Sequence, residues 1–269
     1  MASDLSDEIL ERALVGRFGR YRRVYDSIDS TNLEALRWAA EQDAAEGSLV
    51  VADSQSAGRG RWGRTWLAQP GAALMFSVVL RPEAQVPPGL VSTAGGLAVA
   101  TAIEGTTGLS TAIKWPNDVL INQRKISGVL VEARTIGHAE NALVLGAGIN
   151  LHWQPGGVPA EIADSATSLA HEVERSGRGR VPPRAELLGI VLRELEGLYD
   201  DLSGETGRAR IVERATVRSS ILGGEVTVRF ADGSSTSGVA SALRPDGALV
   251  LDDGTVLDSG EIERIRPVL

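Results

Sequence analysis

The sequence predicts an α+β protein: a central mixed β-sheet with flanking helices, then a small C-terminal SH3-like β-barrel. Three observations lead there. Apolar, β-rich runs alternate with stretches of helical periodicity through residue 217. The texture then changes to short alternating segments punctuated by Gly223-Gly224, Asp232-Gly233, Asp246-Gly247 and Asp253-Gly254, the signature of tight hairpins. A length of 269 residues fits one large domain with a small appendage, here residues 1–217 and 218–269.

The elements follow in order. Leu5, Ile9, Leu10, Ala13 and Leu14 recur at helical spacing and predict a short amphipathic helix. Tyr21 to Ile28 is the first strand. Next comes Ser30-Thr31-Asn32. Thr31 with Glu34 reads as a capping box that opens a helix. Three small polar side chains exceed the needs of one cap, so a polar ligand group such as a urea is an equal alternative. Leu49 to Ala52 and Ala73 to Leu80 read as strands, and Gly89 to Thr107 as a helix of small residues suited to close packing.

Between those two strands stand Gln55 and then Gly58-Arg59-Gly60-Arg61-Trp62-Gly63-Arg64. Glycine lets backbone amides approach a ligand closely, and arginine supplies permanently charged planar donors for carboxylate and phosphate oxygens. Such a loop either closes over an anion or is a solvated basic segment.

Lys114-Trp115-Pro116-Asn117-Asp118 places a lysine at a strand end before a polar turn. Asn122-Gln123-Arg124 then turns into a strand from Lys125 to Glu132 that contains Gly128. Leu143 to Asn150 carries Gly146 and Gly148, which mark a bulge, a packing contact or room for a flat ligand. Gln154 to Asp164 reads as a Pro/Gly-rich loop. Ala166 to Val173 and Pro183 to Leu202 read as helices, the second with a core-facing stripe.

Composition narrows the function. A net charge of -8 disfavours a general nucleic-acid binder, since counterion release rewards a basic face. The arginines are thus local, and suit a small anion. Without cysteine, disulfides, thiolate ligands and a thiol nucleophile are excluded. The acidic start has no apolar h-region and no run approaches a membrane span, so a cytoplasmic protein is expected. Too few residues precede the first strand for a winged-helix reader, so no DNA-binding module is expected.

Taken together, Ser30-Thr31-Asn32, Gln55, the Gly58 to Arg64 loop, Lys114 to Asp118, Lys125 to Leu130 and Gly146 to Asn150 resemble the biotin protein ligase family. The likeness runs from about residue 25 to the end, and the loop together with Lys-Trp-Pro-Asn-Asp is its most specific part. The resemblance implies an ATP-dependent ligase without a repressor function. Biotin is activated to biotinyl-5′-AMP and then passed to a lysine of a biotin carboxyl carrier protein. It implies biotin and ATP as substrates, Mg²⁺ with the ATP, no metal held by the protein, and a monomer or weak homodimer that binds neither DNA nor membrane. By position, it implies biotin contacts at Ser30, Thr31, Asn32, Gln55, Arg59, Gly60, Arg61, Lys125 and Gly128. It implies ATP contacts at Lys114, Asn117, Asp118 and Asn150, with Lys125, Arg59, Arg61 and Lys114 as the catalytic cations. Trp66 and Trp153 are the aromatic candidates against adenine. A lipoate-protein ligase and a non-catalytic biotin sensor are the alternatives. The first has no reason for the Gly-Arg loop or the Ser-Thr-Asn triplet, and the second needs ATP-side residues that are lost, whereas all stand here.

Overall fold

The structure is a computed structural model that describes residues 4–41, 44–82, 86–136, 140–153, 162–259 and 262–267. Its frame is a seven-stranded sheet in the order β1-β2-β3-β7-β6-β5-β4. The strands are β1 (Arg22–Ile28), β2 (Leu49–Gln55), β3 (Ala73–Leu80), β4 (Ala112–Lys114), β5 (Asp118–Ile121), β6 (Arg124–Ile136) and β7 (Glu140–Asn150). β1 and β2 are parallel and every other neighbour pair is antiparallel, so the sheet is mixed as expected.

Period-two alternation divides the two faces. Leu74, Phe76 and Val78 of β3, Val129 of β6 and Leu145 of β7 face a buried layer of helices. That layer holds α1 (Asp7–Ala13), α3 (Pro88–Thr107), α5 (Arg184–Asp201) and α6 (Glu205–Val217). Helix α3 lies close to the sheet because Gly95 leaves room for Leu145 and Val129. The opposite face is only partly covered. Helix α2 (Thr31–Ala40) packs Ala35, Trp38 and Ala39 against Val50, Val79 and Val144, and leaves the rest of that face open.

A second, five-stranded antiparallel sheet follows in the order β11-β10-β9-β8-β12, with its own apolar cluster. It comprises β8 (Glu225–Phe230), β9 (Ser235–Leu243), β10 (Leu249–Leu251), β11 (Val256–Leu257) and β12 (Ile262–Pro267). Trp115 joins the two parts: it is buried in that cluster and donates its indole N–H to the Gly247 carbonyl at 2.9 Å. Its peptide bond to Pro116 is cis. Among the described residues no helix is long and apolar enough to cross a membrane.

Three local expectations change. The cap of α2 is Ser30, whose hydroxyl accepts from Leu33 N–H at 3.5 Å; the Thr31–Glu34 capping box does not form. Glu34 instead pairs with Arg23, Tyr25 and Arg37. Burial alone would raise its carboxyl, but these partners hold it below the ordinary range. Helix α4 (Leu169–Ser176) starts three residues later than periodicity suggests, because Ser168 caps it at His171 N–H. Helix α6, absent from the sequence reading, has only Gly207, Ile211 and Ala215 buried, too sparse a stripe to read as a core helix. Most of the Gln154 to Asp164 stretch lies outside the described residues.

Candidate active site

The open face of the sheet forms a trough floored by glycine. Antiparallel register sets Met75, Gly148 and Gly128 in one row across β3, β7 and β6, and Ser77, Gly146 and Leu130 in the next. A side chain at Gly146 would collide with the Asn32 carboxamide, and one at Gly148 with the Trp66 indole. The glycine pair in β7 therefore makes room above the sheet; it is not a bulge, since the register with β6 is unbroken.

One end of the trough is polar. Ser30, Thr31 and Asn32 enter from the start of α2, and Gln55 from the end of β2. Parallel pairing of Ile28 with Gln55 brings these two chain segments together. Gln55 Oε1 accepts from Thr31 N–H at 2.7 Å, and Gln55 Nε2 lies 3.2 Å from Met75 Sδ. Thr31, Asn32 and Ser77 are linked by hydroxyl and amide contacts, and all three are buried. Ser30 both caps the helix and, with Thr31 and Asn32, lines the trough.

The Gly-Arg loop is a small hairpin. Trp66 N–H donates to Gly58 O at 3.0 Å and Gly60 N–H to Arg64 O at 2.7 Å, with Arg59 bridged to Thr65. The turn needs left-handed backbone at Trp62 (φ 56) and Gly63 (φ 70). Trp62 lies at the tip, 46% exposed. The hairpin carries Arg59 to Glu132, at 2.9 Å, and Trp66 across the floor at Gly128 and Gly148. The Trp66 N–H is buried with no hydrogen-bond partner among the described residues. Gly60 and Arg61 lie in the hairpin outside the trough lining, and Arg61 donates to the Ser259 carbonyl of the C-terminal part. Burial and the neighbouring Arg64 push the Arg61 guanidinium below its ordinary value, against Asp118 and Asp258.

Lys125 borders the trough. Its Nζ lies 2.5 Å from Asp118 Oδ1, 5.7 Å from the Trp66 ring centre and close above Gly128. Its backbone is fixed on both sides, N–H to Ser165 O and C=O from Thr167 N–H, each at 2.8 Å. Glu172, wholly buried, holds that neighbourhood: it accepts from Thr167, Asn122 and Arg175 and pairs with Arg124. Burial would raise its carboxyl; those donors outweigh it and hold it below the usual range.

Of the other sequence-predicted residues, Asn117 donates to Val129 O at 2.8 Å and accepts from Val129 N–H at 2.9 Å, so it clamps β6. Lys114 sits opposite Asp118 in the β4–β5 ladder. Asn150, buried at the end of β7, donates to Thr167 O at 3.0 Å. Trp153 lies apart, in a second cleft with Arg124 and His171. Among the described residues no group of three His, Asp or Glu side chains could hold a metal ion. Ser77, Leu130 and Glu132 were missed by the sequence reading. Leu130 and Glu132 follow Gly128 at two-residue steps, and that spacing was the available signal; Ser77, on a strand with no predicted site residue, had none.

Known proteins resemble this chain in sequence and fold. The Biotin/lipoate A/B protein ligase family matches residues 24–150. The biotin–[acetyl-CoA-carboxylase] ligase of Mycobacterium tuberculosis is 31% identical over 97% of this chain and 96% of its own. The chain belongs to the biotin protein ligase family. It is 39% identical to the bifunctional ligase/repressor BirA of Bacillus subtilis over 57% of this chain, and spans about half the length of that relative (49%). Among solved structures, a biotin protein ligase from Aquifex aeolicus in complex with biotin and ATP superposes with a TM-score of 0.77. It shares 28% identity over 93% of this chain and 100% of that one. The fold of this ligase family thus extends over both sheets.

Proposed function

We propose that this chain is a biotin protein ligase that makes biotinyl-5′-AMP from biotin and ATP. It then biotinylates one lysine of a biotin carboxyl carrier protein of acetyl-CoA carboxylase. The single observation that carries the reading is the trough: a polar amide-and-hydroxyl end, a flat glycine floor and a lysine at the other end, under a hairpin bearing arginines. A urea group suits the first, a fused ring the second and a carboxylate the third.

In the first step a biotin carboxylate oxygen bonds to the α-phosphorus of ATP and the bond to pyrophosphate breaks. Negative charge grows on the phosphoryl oxygens, and fixed cations lower that barrier without any covalent role for the protein. Lys125 is the cation best placed, with Asp118 orienting it. Arg61 and Lys114 add positive charge from the hairpin and from β4. Asn117 and Asn150 belong to the ATP side. Mg²⁺ arrives with the phosphates, since an ion that keeps several waters needs few protein ligands. In the second step the carrier amine attacks the acyl carbon, AMP leaves with the anhydride oxygen, and the amine loses a proton. The hairpin, with Trp66 beneath it, keeps water off the mixed anhydride until then.

We further propose residues 1–217 as the catalytic domain and 218–269 as an SH3-like domain that steadies the hairpin through Arg61. The protein is read as cytoplasmic, a monomer or weak homodimer, with no DNA or membrane partner. Biotin-dependent ATP–pyrophosphate exchange tests the reading, with lipoate and octanoate in parallel. Exchange with biotin alone is expected; exchange with lipoate instead, or none at all, would refute it.

A further inference from the structure

Glu132 stands on β6 one row beyond the trough, opposite Val144 of β7, and the proposed chemistry makes no use of it. Its side chain is 20% exposed and both its oxygens are engaged. Oε1 pairs with Arg59 at 2.9 Å and Oε2 accepts from Asn32 Nδ2 at 2.9 Å. A carboxylate only accepts hydrogen bonds. It therefore fixes which way the Asn32 amide faces, with NH₂ toward Glu132 and Oδ1 toward Ser77, whose Oγ is 2.5 Å away.

That choice propagates. Ser77 has a single proton, and the short contact to Asn32 Oδ1 takes it. Ser77 then has no proton left for Thr31 Oγ1, the other acceptor within its reach at 2.9 Å. Thr31 donates its own proton to Gln55 Oε1 at 3.1 Å, which also accepts from Thr31 N–H at 2.7 Å, so the lone pairs of Thr31 Oγ1 stay open as long as Ser77 is turned to Asn32. A hydroxyl oxygen with open lone pairs at the trough wall suits a ligand N–H and repels a ligand carbonyl.

We propose that Glu132 is a positioning residue that sets the hydrogen-bond polarity of the ureido end of the site. Through Arg59 the same carboxylate holds the hairpin against the sheet. The proposal rests on the ligase reading and adds to it the residue that makes the site select a cyclic urea by its N–H groups. Glu132→Gln is nearly isosteric, but it drops the charge and lets the Asn32 amide turn over.

The test measures biotin Kd by titration calorimetry on the full chain, for wild type, Glu132→Gln, Thr31→Val and the double variant, with thermal melting as the fold check. Expected is a rise in Kd of about tenfold for Glu132→Gln, with kcat at saturating biotin within about threefold, because a mispolarised pair costs binding before it costs chemistry. In the Thr31→Val background the same change shifts Kd by less than about twofold, the non-additivity of residues acting in one chain of hydrogen bonds. A wild-type-like Kd for Glu132→Gln, or an equal effect in both backgrounds, overturns the relay while the ligase reading stands. Failure of the wild type to bind biotin overturns the ligase reading itself. Should Glu132→Gln not fold, Ser77→Ala interrupts the chain from the other side, and an unchanged biotin Kd there overturns the relay equally.

Discussion

The two ends of the trough are held by opposite means. At the polar end Ser77 and Asn32 are buried, and Gly146 is seated in ladders on both sides of β7. The lid end is a hairpin with an exposed left-handed tryptophan at its tip, fastened chiefly by Arg59, Arg61 and Trp66. The polar end is thus built into the sheet itself, while the lid end depends on contacts that a few side chains supply. Buried hydrogen-bonded groups resist rearrangement because any group left unpaired is costly; a surface hairpin can shift without that penalty.

The contrast can be broken or sharpened experimentally. The largest effect is expected in the frame behind Lys125. Glu172→Ala strands Arg124 and Asn122 beside a buried void and should cost about 3–5 kcal/mol in denaturant unfolding, the usual result of breaking a buried ion pair. Because the folded Glu172 carboxyl lies below its unfolded value, its contribution is complete above about pH 4.3 and disappears as pH falls through the folded value. Stability of the wild type should therefore fall more steeply in acid than that of Glu172→Gln, as unfolding curves across pH would reveal.

Lys125→Ala should leave the melting temperature near wild type and slow adenylate formation about 100-fold or more, the scale of losing one preorganised charge partner. Near-normal pyrophosphate release would remove Lys125 from the mechanism. Gly148→Val tests the floor. Its methyls meet the Trp66 indole, and overpacking of about 1–3 kcal/mol should appear as weaker biotin binding in calorimetry. The smallest effect belongs to the lid: Arg61→Ala should leave the fold intact, with a loss of about 0.5–1.5 kcal/mol for its hydrogen bond to Ser259, yet speed biotinyl-adenylate release several-fold. An unchanged off-rate would detach Arg61 from enclosure.

Much of this was legible in the chain. The strands of the trough and the hairpin glycines follow from periodicity and turn chemistry, which act over a few residues. The misread capping box shows the limit. Thr31 and Glu34 have the right spacing, but Glu34 gains more from three partners on β1 and α2, and Ser30 takes the cap. Helix α6 escaped notice because it buries one narrow edge.

By itself, the sequence determined the class of fold, because local propensity and motif spacing are properties of short segments. Only the tertiary structure decided that Glu132 faces Arg59 and Asn32, that Trp66 lies on the glycine floor and that Arg61 reaches Ser259. Each of these joins residues far apart in the chain, and such pairings depend on strand register and packing that no single segment encodes.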